Sequence, residues 1–399
     1  MRNKGKLVGE LITAISLALD LEEDVKLYHA WRVGVLGQAM AELVKPELKV
    51  PIFYAGLLHD VGAIGLDDHV VHYPTKEEQL VIPQIVGHCH KGASIVGALP
   101  GLEEAKEMIL DHHEWYDGSG YPVGKKGDEI CLGGQILRLA DSFDLWVRYN
   151  PNATKTEILA KAQKGIGTEY SREIYDLFAE TIARGTFFHK LTRENSLVFH
   201  VSQIREQMEL EIEASSFTLD NTLKVFARVI DTKHSYTKGH SERVASYASD
   251  LAKTMGFNEE TVILARHAGL LHDVGKLAVP RKTLDKPGRL EPQELQIIKI
   301  HPLFTMEILE YVGELAHFAP ISGAHHERVD GLGYPDGLKG YEIPLLGRIM
   351  AVADAFDAMT TNRPYQRTRS FSDGLEILKE NAGTQFDSQV VEAAIATFD

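Results

Sequence analysis

A chain of 399 residues with 44% hydrophobic content has room for two or three domains, each burying a core of its own. Its formal net charge of −15 argues against duplex nucleic acid or an anionic membrane surface as partner, since phosphate contact needs a basic face. A small anionic substrate neutralised by metal ions stays compatible, and the two cysteines, Cys89 and Cys131, are too few for a disulfide framework and normal for a reducing compartment.

The start, Met1 to Lys6, is basic and an apolar run follows, but Gly9-Glu10 and Asp20 interrupt it. Neither a signal peptide nor a membrane span is expected, and the location is read as cytoplasmic. From there the chain is dominated by a duplication. His29-Ala30-Trp31-Arg32-Val33 matches His240-Ser241-Glu242-Arg243-Val244, 211 residues on. Leu57-Leu58-His59-Asp60-Val61-Gly62 reads the same as Leu270 to Gly275, 213 residues on. At that same offset His88 matches His301, and His112-His113-Glu114 matches His325-His326-Glu327. Asp117 to Pro122 matches Asp330 to Pro335, and Ala140-Asp141-Ser142-Phe143-Asp144 matches Ala353-Asp354-Ala355-Phe356-Asp357. Gly167 to Tyr170 matches Gly383 to Phe386, 216 residues on. Two copies of one fold are implied, over 1–184 and 217–399. In the connector, 185–216, Leu197, Val201, Ile204 and Met208 share one helical face. It is read as a helix packed between the copies, with a short coiled coil at a homodimer interface as the alternative.

The fold class is all-α. Apolar residues recur at three-to-four spacing over Leu223–Ile230, Ser241–Met255, Glu260–Leu271 and Pro292–Tyr311, and period-two alternation is scarce. Gly256 stands just past a helix end, and Glu259 to Leu271 delivers His272 and Asp273 at a helix C-terminus. Val329 to Gly340 reads as a loop.

In the second copy His240, His272, Asp273, His301, His325, His326 and Asp354 form a set of imidazoles and carboxylates. Such donors suit Fe, Mn, Zn or Ni, whereas Mg or Ca prefer all-oxygen sets. Seven ligands exceed one ion, so two are expected. His240, His272 and Asp354 would hold one, His301, His325 and His326 the other, and Asp273 would bridge. Each residue alone has a plainer reading; an Asp before apolar residues, as at Asp354, is also a helix N-cap. The joint pattern, with steps of 29, 24 and 29 residues from His272 to His301, His325 and Asp354, outweighs those readings.

These residues resemble the HD-GYP family of bacterial cyclic-dinucleotide phosphodiesterases, a branch of the HD metal-dependent phosphohydrolases. The likeness rests on His-Asp followed by Gly-Lys, then His-Pro, His-His-Glu and Gly-Tyr-Pro. It covers nearly all of 217–399 and most of 6–184. The resemblance implies helical bundles holding two or three ions, usually iron or manganese. It implies hydrolysis of cyclic di-GMP or cyclic GMP–AMP to a linear dinucleotide by a metal-activated bridging hydroxide. It places the seven second-copy residues on the family's ligands, with Asp273 in the catalytic centre. Lys276 falls on the catalytic lysine and Arg363 on an arginine that holds a substrate phosphate. Tyr334 is a candidate for stacking on a base. Tyr236 stands where members with three ions carry Glu, so two ions are expected. Gln366, followed by Arg367, stands where a basic residue is usual, which leaves cyclic GMP–AMP open beside cyclic di-GMP.

The first copy keeps His29, His59, Asp60, His88, His112, His113 and Asp141, a candidate second metal centre. Ala63 stands opposite Lys276 and Asn150 opposite Arg363. This copy is expected to fold around metal without turning over substrate, and to regulate or brace its twin. Two other functions fit less of the sequence. One is a phosphohydrolase acting on other nucleotides, against which the Gly-Tyr-Pro turn weighs. The other is a non-catalytic cyclic-dinucleotide receptor, against which Lys276 weighs.

Overall fold

The structure is a computed structural model that describes residues 4–21, 28–66, 70, 73, 75–207, 219–233, 239–286, 288–361 and 368–399. Tyr236, Arg363, Gln366, Arg367 and Met208 lie outside the described residues. The architecture is all-α: the described residues hold helices, short 3-10 turns and three isolated bridges, and no strand. No helix among them is long and apolar enough to cross a membrane.

The chain divides into two compact units, 1–217 and 218–399. In the first unit, helix His29–Val44 lies against Lys49–Leu58 and Leu132–Tyr149. In the second, His240–Thr254 lies against Glu259–Leu271 and Leu345–Thr360, the equivalent trio. Each trio carries His on its first helix, the His-Asp pair at the end of its second and an Asp inside its third. Apolar stripes on these helices form the cores, with Val33, Leu36, Phe53 and Phe143 in one and Val244, Leu251, Leu270 and Phe356 in the other, all fully buried. Burying a side chain of that size stabilises by roughly 1.5–3 kcal/mol.

Local chemistry sets the helix ends. Asn258 caps Glu259–Leu271 by accepting from Thr261 N at 2.9 Å. His240–Thr254 stops where Gly256 turns to φ 80°, and Phe257 N donates back to Ala252 O at 3.1 Å.

Two stretches differ from their sequence pattern. Pro292–Tyr311 is not one helix; it breaks at Ile300 into Pro292–Lys299 and His301–Tyr311. Pro302 is the cause: it has no N–H for the carbonyl of Ile298, and its ring crowds that carbonyl. The connector folds as Phe187–Thr192 and Glu194–Gln207 within the first unit, in contact with His29–Val44. Leu197, Val201 and Ile204 are its buried face there, so the apolar stripe finds its core inside that unit.

The turn Val274–Ala278 sits directly on the start of His301–Tyr311, with Gly275 N donating to Thr305 Oγ1 at 3.0 Å. Thr305 Oγ1 donates in turn to His272 O at 3.0 Å. A Cβ on Gly275 would collide with the backbone of His301 and Thr305. Gly275→Ala is therefore expected to cost about 1–3 kcal/mol, lowering the melting temperature of the second unit by roughly 2–10 °C. An unchanged melting curve would show that the turn and helix are not in this contact.

Candidate metal centre

The second-copy histidines converge because backbone carbonyls aim them. His272 Nδ1 donates to Gly269 O at 2.8 Å, His301 Nδ1 to Ile298 O at 2.7 Å and His325 Nδ1 to Ser322 O at 2.5 Å. Each acceptor lies three residues back, at a helix end. For His301 it is the carbonyl that Pro302 leaves without its helical partner. A carbonyl only accepts, so each Nδ1 carries the hydrogen and each Nε2 turns its lone pair inward. His240 Nδ1 donates instead to Asp357 Oδ2 at 2.7 Å, and Arg243 Nε holds Asp357 Oδ1 at 2.6 Å.

Asp273 stands between two groups of these nitrogens. Its Oδ2 is 3.5 Å from His240 Nε2 and 3.3 Å from His272 Nε2. Its Oδ1 is 3.4 Å from His301 Nε2 and 3.8 Å from His325 Nε2. Asp354 Oδ1 is 3.3 Å from His240 Nε2, and the His326 ring lies 4.1 Å from that of His325. Ligand atoms of His301, His325 and His326 lie within 4.8 Å of one another, as do those of His240, His272 and Asp273.

Burial opposes ionisation of Asp273, but His272 and Lys276 beside it outweigh burial and hold the carboxyl well below the ordinary range. Asp354 is likewise held down, against burial, by His240. Burial, then the neighbouring imidazoles, pushes His325 well below its usual value, and His326 falls to about 3.

This donor set fits a divalent cation. His301 Nε2 and His325 Nε2 face each other at 3.1 Å with both Nδ1 hydrogens already spent. Two acceptors at that distance repel, and protonating His325 is disfavoured. His272 Nε2 and Asp273 Oδ1 are also buried without a hydrogen bond. Cations in the two groups would satisfy all four atoms.

The first copy repeats the arrangement. His59, His88 and His112 donate Nδ1 to the carbonyls of Gly56, Ile85 and Ile109. Asp60 Oδ2 is 3.7 Å from both His29 and His59 Nε2, and its Oδ1 is 3.5 Å from His88 and 3.9 Å from His112. Asp141 Oδ1 is 3.8 Å from His29 Nε2. His88 and His112 face each other at 3.2 Å, and His29 and His59 at 3.0 Å. Against burial, Asp144 raises His29 to about 9.

The remaining candidates are placed as follows. Lys276 Nζ reaches Asp273 Oδ2 at 2.6 Å, and the matching turn in the first copy ends in the methyl of Ala63. The Tyr334 ring lies 4.8 Å from that of His326, with Lys299 Nζ 5.1 Å from its centroid; Tyr121 stacks on His113 at 4.7 Å.

Two pairs of buried acids do work that the motifs did not disclose. Asp357 and Asp144 orient the first histidine of each copy; Asp144 Oδ2 accepts from His29 Nδ1 at 2.7 Å. Each lies three residues after a candidate ligand, on the same helix face, and that spacing was the available signal. Glu327 grips the Gly-Tyr-Pro loop, accepting from Asp336 N at 2.7 Å, Gly337 N at 3.2 Å and Leu338 N at 3.0 Å. Glu114 does the same with the amides of Val123, Gly124 and Lys125.

The HD-domain family model matches residues 32–174 and 224–390, most of both units. The chain belongs to the HD-domain family. It is 32% identical over 308 residues to 3′3′-cGAMP-specific phosphodiesterase 3 of Vibrio cholerae, covering 76% of this chain and 65% of that protein. The chain therefore spans just under two thirds of that relative's length. To 3′3′-cGAMP-specific phosphodiesterase 1 of the same organism it is 28% identical, over 96% of this chain and 89% of the relative. To the cyclic di-GMP phosphodiesterase response regulator RpfG of Xanthomonas campestris it is 40% identical, over 44% of this chain and 47% of the relative. Among solved structures it is similar to V-cGAP3, a cyclic GMP–AMP-specific phosphodiesterase of Vibrio cholerae. The TM-score is 0.65 at 26% identity, covering 98% of this chain and 97% of the other.

Because Asp357 fixes the ring and tautomer of His240, Asp357→Asn is expected to weaken divalent-metal affinity about 10- to 100-fold. Competition against a chromogenic chelator measures it. Wild-type affinity in the variant would remove the orienting role.

Proposed function

We propose that the second unit hydrolyses a phosphodiester bond of a bacterial cyclic dinucleotide, giving a linear dinucleotide. The observation that carries this reading is the placement of Asp273. One carboxylate oxygen faces His240 and His272, the other faces His301 and His325, and the Lys276 ammonium sits on the same carboxylate. His240, His272 and Asp354 would hold one ion and His301, His325 and His326 the other, with Asp273 placed between the two groups. Iron or manganese fits the mixed imidazole and carboxylate donors. Two such ions, when bound, act as Lewis acids that activate water and neutralise phosphoryl oxygens.

The chain's own groups complete the site. Lys276 offers a donor to the phosphoryl oxygens or to the departing ribose oxygen. Tyr334, with Lys299 over its ring, walls the cluster beside His326. Glu327 holds the loop that carries Tyr334. Arg363 is assigned a second phosphate by its place in the motif alone. 3′3′-cyclic GMP–AMP is the first substrate to test, since two relatives matched over 76% and 96% of this chain are named for it. Cyclic di-GMP is the second. The first unit, with Ala63 opposite Lys276, is assigned no turnover.

The test is product analysis with each dinucleotide, iron or manganese supplied, on wild type and Lys276→Ala. Wild type is expected to yield linear product, and the variant to lose roughly 100- to 1000-fold in kcat with metal content unchanged. Absence of linear product from both dinucleotides would overturn the reading.

A further inference from the structure

The two copies differ at one place inside the ligand cluster itself. Arg138 in the first copy corresponds to Ala351 in the second. Arg138 is buried, and one of its terminal nitrogens lies 2.7 Å from His113 Nδ1. The other lies 2.9 Å from Asp141 Oδ2 and 2.9 Å from Ser142 Oγ. Its Nε is 3.1 Å from Glu169 Oε1, which also accepts from Ser142 Oγ. The position is built for a guanidinium. Its supports Ser142 and Glu169 are Ala355 and Gln385 in the second copy, so arginine and cradle are present together in one copy and absent together in the other.

A guanidinium has hydrogens to donate and no lone pair to accept with. His113 Nδ1 must therefore be the acceptor, and the neutral ring carries its hydrogen on Nε2. Nδ1 is then occupied by Arg138, and an ion could bind at Nε2, which lies in the His88–His112 group, only by displacing the hydrogen there. That Nε2 is buried without a hydrogen-bond partner. The ring matches His326, and the residue that corresponds to Arg138 in that copy, Ala351, has a methyl that donates nothing. Asp141 also spends Oδ2 on the arginine and keeps Oδ1 toward His29. The fixed positive charge thus touches one member of each ligand group of the first copy.

We propose that Arg138 takes His113 out of metal ligation, so the first copy binds divalent ions more weakly than its twin and with one imidazole fewer. This rests on the reading of the clusters as metal centres, and the two can fail separately. The degeneration of the first copy then goes beyond its missing lysine, and reaches a metal set whose residue types its sequence keeps intact.

The experiment uses the full chain carrying His272→Ala and Asp273→Ala, so that the ions remaining belong to the first copy. Manganese affinity is measured by chelator competition and content by elemental analysis, with circular dichroism as a check on folding. In this background His113→Ala is expected to change affinity less than twofold. Arg138→Ala is expected to tighten binding at least tenfold, and His113→Ala added to Arg138→Ala to reverse that gain. A tenfold loss from His113→Ala while Arg138 is present would overturn the proposal. So would a folded Arg138→Ala chain with unchanged affinity. Should Arg138→Ala fail to fold, His113→Ala alone decides. Failure of His272→Ala and Asp273→Ala to remove any ion from the wild-type chain would count against the second-copy metal centre instead.

Discussion

Six buried imidazoles spend their Nδ1 hydrogens on carbonyls three residues back, and the geometry of both sites follows from that commitment. Once those hydrogens are placed, the inward nitrogens are acceptors only, and bringing them within about 3 Å of one another is unfavourable without a cation. The helices supply carbonyls at the right places because they end there. Glu259–Leu271 stops at His272, and Pro302 opens the break that frees the carbonyl of Ile298. Helix termination and imidazole orientation are one event in this fold, which is why these six histidines stand at helix ends while Asp141 and Asp354 come from helix interiors.

The two units give a comparison in which fold and most of the cluster are held constant. Asp60 and Asp273 take the same position between two histidine groups, and Asp144 and Asp357 support the same histidine. Against that background the differences are few and concentrated on cations. The ammonium of Lys276 is absent opposite Ala63, and the guanidinium of Arg138 is absent opposite Ala351. One copy carries its positive side chain on Asp273, between the two histidine groups, and the other carries it on His113 and Asp141. The first arrangement leaves the inward lone pairs open, whereas the second closes one of them.

Much of this was legible in the sequence, because duplication made it readable twice. Helical periodicity gave the all-α class, and the paired motifs located all seven second-copy residues that the structure brings together, His240, His272, Asp273, His301, His325, His326 and Asp354. What was not legible depended on side-chain direction or on packing at a distance. Asp357 looks like one more acid on an amphipathic helix until His240 is found against it. Arg138 looks like a helix-surface charge until His113 is found at its tip. The stripe at Leu197, Val201 and Ile204 announced burial but not which unit would supply the core. The break at Ile300 was written in Pro302, but the apolar period across Pro292–Tyr311 masked it.

The grip of Glu327 and Glu114 on their loops has an evolutionary consequence. Each carboxylate holds three consecutive main-chain amides and no side chain. An anchor that grips only the peptide backbone is indifferent to the identity of the residues it restrains. The loops have diverged accordingly, with Ser119 against Leu332, Val123 against Asp336 and Lys125 against Leu338. Their shared backbone path past the ligand histidines is kept all the same. The rim of the site can thus drift toward new recognition surfaces while its floor stays fixed, so ligand preference can be rewritten without rebuilding the centre beneath it.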